Sequence, residues 1–367
     1  MPDNLADLRK AKRSLMKRWT PPLRRETGRA TALRAERRFR PDVPLNLVGV
    51  GVGEKITSGR LTGTLCVKVL VARKYPLGRI PAAQRIPAAV AGLPTDIEEV
   101  GYPRALPAAR RGGRRRPGRR PAGRKSNRRR RAADLDSRRR RRPVPGGVSV
   151  GLDSAAVPFR FAGTLGVILV DRDRPTWRLG LSNNHVLADE NRVAAGAGAI
   201  QPGSLDGGRD SDRIGSLDRF EPIRFGNVPN SMDAAACVFE AAADADFAIL
   251  GVGAPTGVAE PELRGLVRKM GRTTGLTEGI VRAVDFDVTG VQYDQGLVRV
   301  DDVVVIEGVG GEFSAAGDSG SAIVDARSRL VALLFAGSSE VTFAIPIGRV
   351  LDRLRLGLPR AGASRRR

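Results

Sequence analysis

One histidine, His185, stands among 367 residues; there are two cysteines, and Phe, Trp and Tyr together make up only 4%. Each shortage excludes something. A lone His and two isolated cysteines without a CxxC neighbour are a poor basis for a metal centre, and no metal or nucleotide cofactor is expected. Cys66 and Cys237 lie in distant segments, too few for a disulfide-stapled secreted scaffold, and read as small buried hydrophobes. Sparse aromatics imply a mostly aliphatic core. No apolar run approaches the roughly 20 residues of a membrane helix. The N-terminal MPDNLADLRKAKRSLMKRW has no apolar segment of signal-peptide length. The expectation is a cytoplasmic protein without a membrane span.

Glycine (44) and proline (24) are plentiful, which suits a loop-rich β protein. Positive charge is also plentiful, at a net +24, but it is unevenly placed. Residues 110–142 hold 18 Lys/Arg against 2 Asp/Glu, whereas residues 143–367 are slightly acidic, with 24 against 28. Charge confined to flanking segments bears on solubility and non-specific association, not on fold. An Arg tract without stacking aromatics predicts, at most, salt-sensitive and sequence-blind contact with a polyanion through residues 110–142.

Along the chain, residues 1–44 form a basic segment in which Leu5, Leu8, Leu15 and Met16 fall on a loose helical stripe. Residues 45–106 read as a small α+β domain. LNLVGVGVGEKITSGRLTGTLCVKVLVARK is strand, turn, strand, and its glycines are not followed by the helix a dinucleotide site needs. PAAQRIPAAVAG (81–92) is a candidate short helix and TDIEEVG (95–101) a further strand. Residues 107–146 read as a disordered Arg-rich linker, having few apolar side chains and many like charges. From 147 to 358 short β runs alternate with Gly, Asp, Asn and Pro turns, as in sandwiches and barrels. IGRVLDRLRLGL adds one closing helix, with Ile347, Val350, Leu351 and Leu354 inward. Residues 359–367 are a basic tail.

The chemistry gathers in this β region. His185 sits in LGLSNNHVLADEN, and histidine is the usual general base because it titrates near neutral pH. In AAGDSGSAIVD, Gly-Asp-Ser-Gly sets Ser319 in a tight turn that aims the N–H groups of Gly317 and Ser319 at one point, an oxyanion hole. A carboxylate must hold the imidazole. Asp233 in NSMDAAACVFE begins a small apolar run and fits best. Asp246, also before a β run, is its rival, and Asp206, Asp210 and Asp212 belong to a polar loop.

The order His…Asp…Ser, with NNHVLA, MDAAA and GDSGS as boxes, resembles the trypsin/chymotrypsin superfamily of serine peptidases. GTLGVILVD, RKMGRTTGLTEG and GDSGSAIVD look like a bacterial branch with an N-terminal accessory segment, related to the plant narrow-leaf protease. The resemblance covers about residues 147–357 and implies two six-stranded β-barrels with His185, Asp233 and Ser319 in the cleft between them. The implied activity is a serine endopeptidase with peptide or protein substrates and no cofactor. In the digestive enzymes the acid before the serine pairs with a processed N-terminus. GGVSVG near 147 offers no such site, so Asp318 needs Arg272 or has no partner. Phe313 and the stretch Leu334–Ser338 suggest an apolar or small specificity pocket. The alternatives are a catalytically silent double barrel that binds peptides, and a nucleic-acid-associated protein working through its Arg-rich segment.

Overall fold

The computed structural model describes residues 3–19, 46–105, 108–110 and 135–359. Helix α1 (Asp3–Trp19) buries Leu8, Ala11, Leu15 and Met16, a stripe at helical spacing. It lies on β1 (Leu47–Thr57) and β2 (Arg60–Val71), against Val50, Val52, Val67 and Val69. Burial of Leu8, Leu15 and Met16 is worth about 1.5–3 kcal/mol each. The helix also settles its charges locally: Lys12 is buried between Asp287 and Asp302, at 2.6 and 3.0 Å. Strands β1 and β2 make the expected hairpin. Its glycine run serves close packing, since a Cβ at Gly51 would stand 2.5 Å from the Phe286 ring. Strand β3 (Leu93–Glu99) runs parallel to β2. The helix expected at 81–92 is absent; one 3₁₀ turn (Ala82–Gln84) and a two-residue strand (Ala89–Val90) take its place, because Pro81 and Pro87 interrupt any longer helix. Strand β4 (Ala108–Arg110) ends this part.

The first ring of strands comprises β5 (Val148–Leu152), β6 (Arg160–Leu165), β7 (Val167–Asp171), β8 (Arg178–Ser182), β9 (Gly198–Ile200), β10 (Arg213–Phe220) and β11 (Ala235–Phe239). Strands β6 and β7 are one strand bent at Gly166. β6 pairs with β5 and β7 with β8, and β8–β11–β10–β9–β5 completes a closed six-stranded barrel. The second ring comprises β12 (Leu266–Gly271), β13 (Gly275–Gln292), β14 (Leu297–Gly308), β15 (Ala322–Asp325), β16 (Arg329–Gly337) and β17 (Val341–Pro346). Pairings β12–β13–β14–β17–β16–β15–β12 close it. Strand β1 pairs with β13, so the N-terminal strands extend the second barrel's sheet and do not form one of their own. Leu169, Leu179 and Leu181 of the first barrel share one apolar core with Phe286, Leu333 and Phe343 of the second. Helix α2 (Ile347–Arg353) closes the chain with Ile347, Val350 and Leu351 buried, and Leu354 is buried just beyond it. Two barrels side by side make the mostly β, chymotrypsin-like architecture expected from the sequence. No helix among the described residues is long and apolar enough to cross a membrane.

The Arg-rich segment departs from expectation at its C-terminal end. Residues 135–146, read as disordered linker, are ordered. Arg138 Nε donates to Arg272 O at 3.1 Å, Arg140 pairs with Asp212 at 2.8 Å, and Arg142 donates to Asp212 O at 2.9 Å and Gln201 Oε1 at 2.9 Å. Runs of like charge stay solvated only when the fold offers no acceptors, and here it offers several. The rest of this tract, 111–134, lies outside the described residues.

Asp171, at the end of β7, ties the first barrel to the C-terminal segment. It is enclosed, and burial pushes its carboxyl up. Hydrogen bonds from Arg219, from the N–H groups of Arg174 and Asp173 and from the Arg174 guanidinium outweigh this and hold it down at about 2. Arg219 in turn donates to Leu354 O at 3.1 Å. A carboxyl depressed in the folded state stabilises above its ordinary range of about 4, and that stability is lost as pH falls from there through about 2. Asp171→Asn should therefore lower the melting temperature clearly at pH 7 and much less at pH 3. Equal losses at both pH values would contradict this account.

Candidate active site

The sequence places the one histidine directly after strand β8, in a single helical turn, Asn184–Leu187. Neighbouring asparagines fix that turn. Asn183 Nδ2 donates to Asp233 O at 2.7 Å, and Asn184 Nδ2 donates to Asn191 Oδ1 and Glu221 O, both at 2.7 Å. Asp233 lies just before β11, the strand paired with β8, so the two side chains meet across adjacent strands. His185 Nδ1 is 2.5 Å from Asp233 Oδ2, and the His185 backbone N–H donates to Asp233 Oδ1 at 3.3 Å. A carboxylate on Nδ1 favours the tautomer that leaves Nε2 as acceptor. Nε2 is buried without a hydrogen-bond partner among the described residues. Asp246 is exposed and accepts only from Ala248 N at 3.0 Å, on its own turn. Asp206, Asp210 and Asp212 are engaged by Arg272, Ser154 and Arg140.

Tyr293 is a partner the sequence did not single out. Its hydroxyl donates to Asp233 Oδ2 at 2.8 Å, and its ring stands edge-on to His185, with centroids 5.7 Å apart at 87°. Burial first, and then the Asp233 carboxylate, push its phenol well above the ordinary value, so it remains a donor. VQYDQG carries no pattern that marks it.

Ser319 comes from the second barrel, on the turn before β15. Gly317 (φ 100°) and Gly320 (φ 92°) adopt left-handed backbone. A Cβ at Gly320 would also stand 2.2 Å from Ser182 Oγ. The turn is pressed against the first barrel: Thr164 N donates to Ser319 O at 2.9 Å, and Thr164 Oγ1 donates to Gly317 O at 2.9 Å. The N–H groups of Gly317 and Ser319 donate to no described residue. Ser319 Oγ leans toward Phe335 O, at 3.5 Å, and makes no hydrogen bond to His185. The structure thus joins His185 to Asp233 directly and shows no hydrogen bond from Ser319 to either of them among the described residues.

Asp318 is fully buried under the serine turn. Its oxygens accept from Thr273 N (2.7 Å), Thr274 N (3.2 Å), Thr274 Oγ1 (2.7 Å) and Ala315 N (2.9 Å), with Lys269 Nζ at 3.6 Å. Arg272, the cation expected there, instead grips Asp206 through two 2.7 Å bonds. Lys269 sits on β12, four residues before the Thr273 amide, whereas Arg272 is buried against Asp206. Burial pulls the Lys269 ammonium down, and Asp318 opposes this. GRTTG is therefore the turn that grips the acid before the serine.

Beside Ser319 lies a pocket of about 400 Å³ lined by Ser314, Ala315, Ala316, Leu334, Ala336 and Gly337, with Tyr102 and Arg104 also on its wall. Alanines, serines and glycine make up most of its lining. Phe313 and Phe335, however, are buried in the cores and do not line it.

Removing the Lys269 ammonium leaves a buried carboxylate without its cation. Lys269→Met should cost about 3 kcal/mol of stability in urea denaturation, and adding Asp318→Asn should recover part of it. An unchanged midpoint for Lys269→Met would show that the four hydrogen bonds alone satisfy Asp318.

No family model matches the chain, and no curated protein matches it. Among solved structures it is similar to Thermobifida fusca protease A, at 17% identity over 59% of this chain and 97% of that one, TM-score 0.42. It is also similar to a glutamic-acid-specific serine protease (19% identity; 59% and 100%; TM-score 0.41) and to Nocardiopsis protease (16%; 59% and 98%; 0.40). Likenesses this distant carry no argument about the chemistry of the site.

Proposed function

We propose that the chain is a serine endopeptidase. The observation that carries this reading is the buried His185–Asp233 contact, which leaves Nε2 without a partner among the described residues and so available to a serine hydroxyl. In this reading a rotation about χ1 carries Ser319 Oγ to His185. As Oγ attacks a peptide carbonyl, Nε2 takes its proton, and Asp233 stabilises the resulting imidazolium. The N–H groups of Gly317 and Ser319 receive the oxyanion, each worth about 10²–10³ in rate. His185 then returns the proton to the leaving amine, and water hydrolyses the acyl-serine. Tyr293 and the N–H of His185 keep the Asp233 carboxylate aimed at Nδ1. The small pocket favours a small or medium apolar side chain on the acyl side. Asp233, not Asp246, is the orienting acid, and no metal or nucleotide takes part.

A second reading, a silent peptide-binding barrel, draws on the unmade Ser319–His185 bond. A fluorophosphonate probe separates the two: it should label the chain, and Ser319→Ala should abolish labelling. His185→Ala and Asp233→Asn should each lower peptide turnover by about 10³–10⁴ while circular dichroism stays native. Labelling that persists in Ser319→Ala, or turnover that survives His185→Ala, would end the serine-peptidase reading.

A further inference from the structure

Ser319 and His185 are only 4% and 2% exposed, too little for residues that must meet a peptide. What lies over the serine's surroundings is the chain itself. Gly337, at the end of β16, donates its N–H to Arg104 O at 2.9 Å and accepts from Arg104 N at 2.8 Å, an antiparallel bridge. Gly337 is two residues beyond Phe335, whose carbonyl faces Ser319 Oγ. On the opposite side, β4 pairs antiparallel with β6, Ala108 against Ala162 and Arg110 against Arg160. Two residues further along β6, Thr164 holds the Ser319 carbonyl. Residues 102–105 and 108–110 thus pair with a strand edge on each side of the nucleophile.

An unpaired strand edge takes up an extended peptide by main-chain hydrogen bonds. A substrate crossing Ser319 would need these two edges, in this antiparallel sense. The remaining contacts secure the segment. Gln292 N donates to Pro103 O and Ala105 N to Gln292 O, both at 3.0 Å, and Ala105 is fully buried. Tyr102 and Arg104 wall the pocket beside the serine.

We propose that residues 102–105 and 108–110 are an intramolecular occupant of the substrate cleft, so that the intact chain is self-blocked and binds or cuts other peptides only when they are displaced. The proposal rests on the serine-peptidase reading, since it takes the cleft to be a substrate cleft. No bond is made or broken in it; the block is strand pairing at both edges.

The test uses the full chain. Arg104→Pro removes the N–H that Gly337 accepts, and Ala108→Pro disturbs the opposite pairing. A fluorophosphonate reads the reactivity of Ser319. A fluorescein-labelled peptide of residues 102–110 reads cleft occupancy by anisotropy, in a Ser319→Ala background where no turnover interferes. Either proline variant should raise the labelling rate about ten-fold or more, because a site that is seldom open reacts in proportion to its open fraction. Either should also bind the labelled peptide, which the chain with an intact segment leaves free. Equal labelling and equal peptide binding with and without proline would overturn the proposal and leave the peptidase reading intact. No labelling of any form, with peptide binding still opened by proline, would remove the peptidase reading and leave the self-occupied cleft standing. Should the proline variants lose their cooperative melting transition, amide exchange on the unsubstituted chain decides: protection of the Gly337 N–H supports occupancy, and free exchange overturns it.

Discussion

The position of the serine turn depends on how one buried charge is met. Asp318 has no exposure to water, and an isolated carboxylate in such a place would cost several kcal/mol. Two backbone amides, a threonine hydroxyl, the Ala315 N–H and the Lys269 ammonium answer it. These donors sit on β12, on the 271–275 turn and on the serine loop itself, so satisfying the charge fixes them against one another. Thr164 then fixes the same loop against the first barrel. The orientation of Ser319 relative to His185 follows from those two anchors, one in each barrel. The cation facing Asp318 is Lys269.

The second buried carboxylate, Asp233, has a different balance. It is met by an imidazole, a phenol and a backbone N–H. None of these is a permanent cation, whereas the charge facing Asp318 is the Lys269 ammonium.

The N-terminal part is bound to the second barrel at three levels. Strand β1 continues its sheet, α1 covers β1 and β2 and pairs Lys12 with Asp287 and Asp302, and residues 103–105 bond to Gly337 and Gln292. The ordered arginines 138–142 act similarly on the other flank, where they join residues 201, 212 and 272. Part of the charge that suggests a nucleic-acid ligand in the sequence, that of Arg138 to Arg142, is spent within the fold at these points.

The sequence by itself determined the chemistry-bearing residues and the β texture, because both are local. A unique histidine, a Gly-Asp-Ser-Gly turn and short apolar runs between glycines need no long-range information. It also favoured Asp233 over Asp246, through the small-apolar run that lets a strand start be buried. It misplaced the 81–92 helix, where proline outweighs composition, and the order of residues 135–146, where acceptors lie 60 to 130 positions away. Only the tertiary structure decided that Lys269 and not Arg272 answers Asp318, that Tyr293 reaches Asp233, that Phe313 and Phe335 face the cores, and that Arg104 bonds to Gly337. Each of these is a contact between strands distant in sequence. Which face of a strand a side chain occupies is set by register, and register is set by the packing of both barrels together.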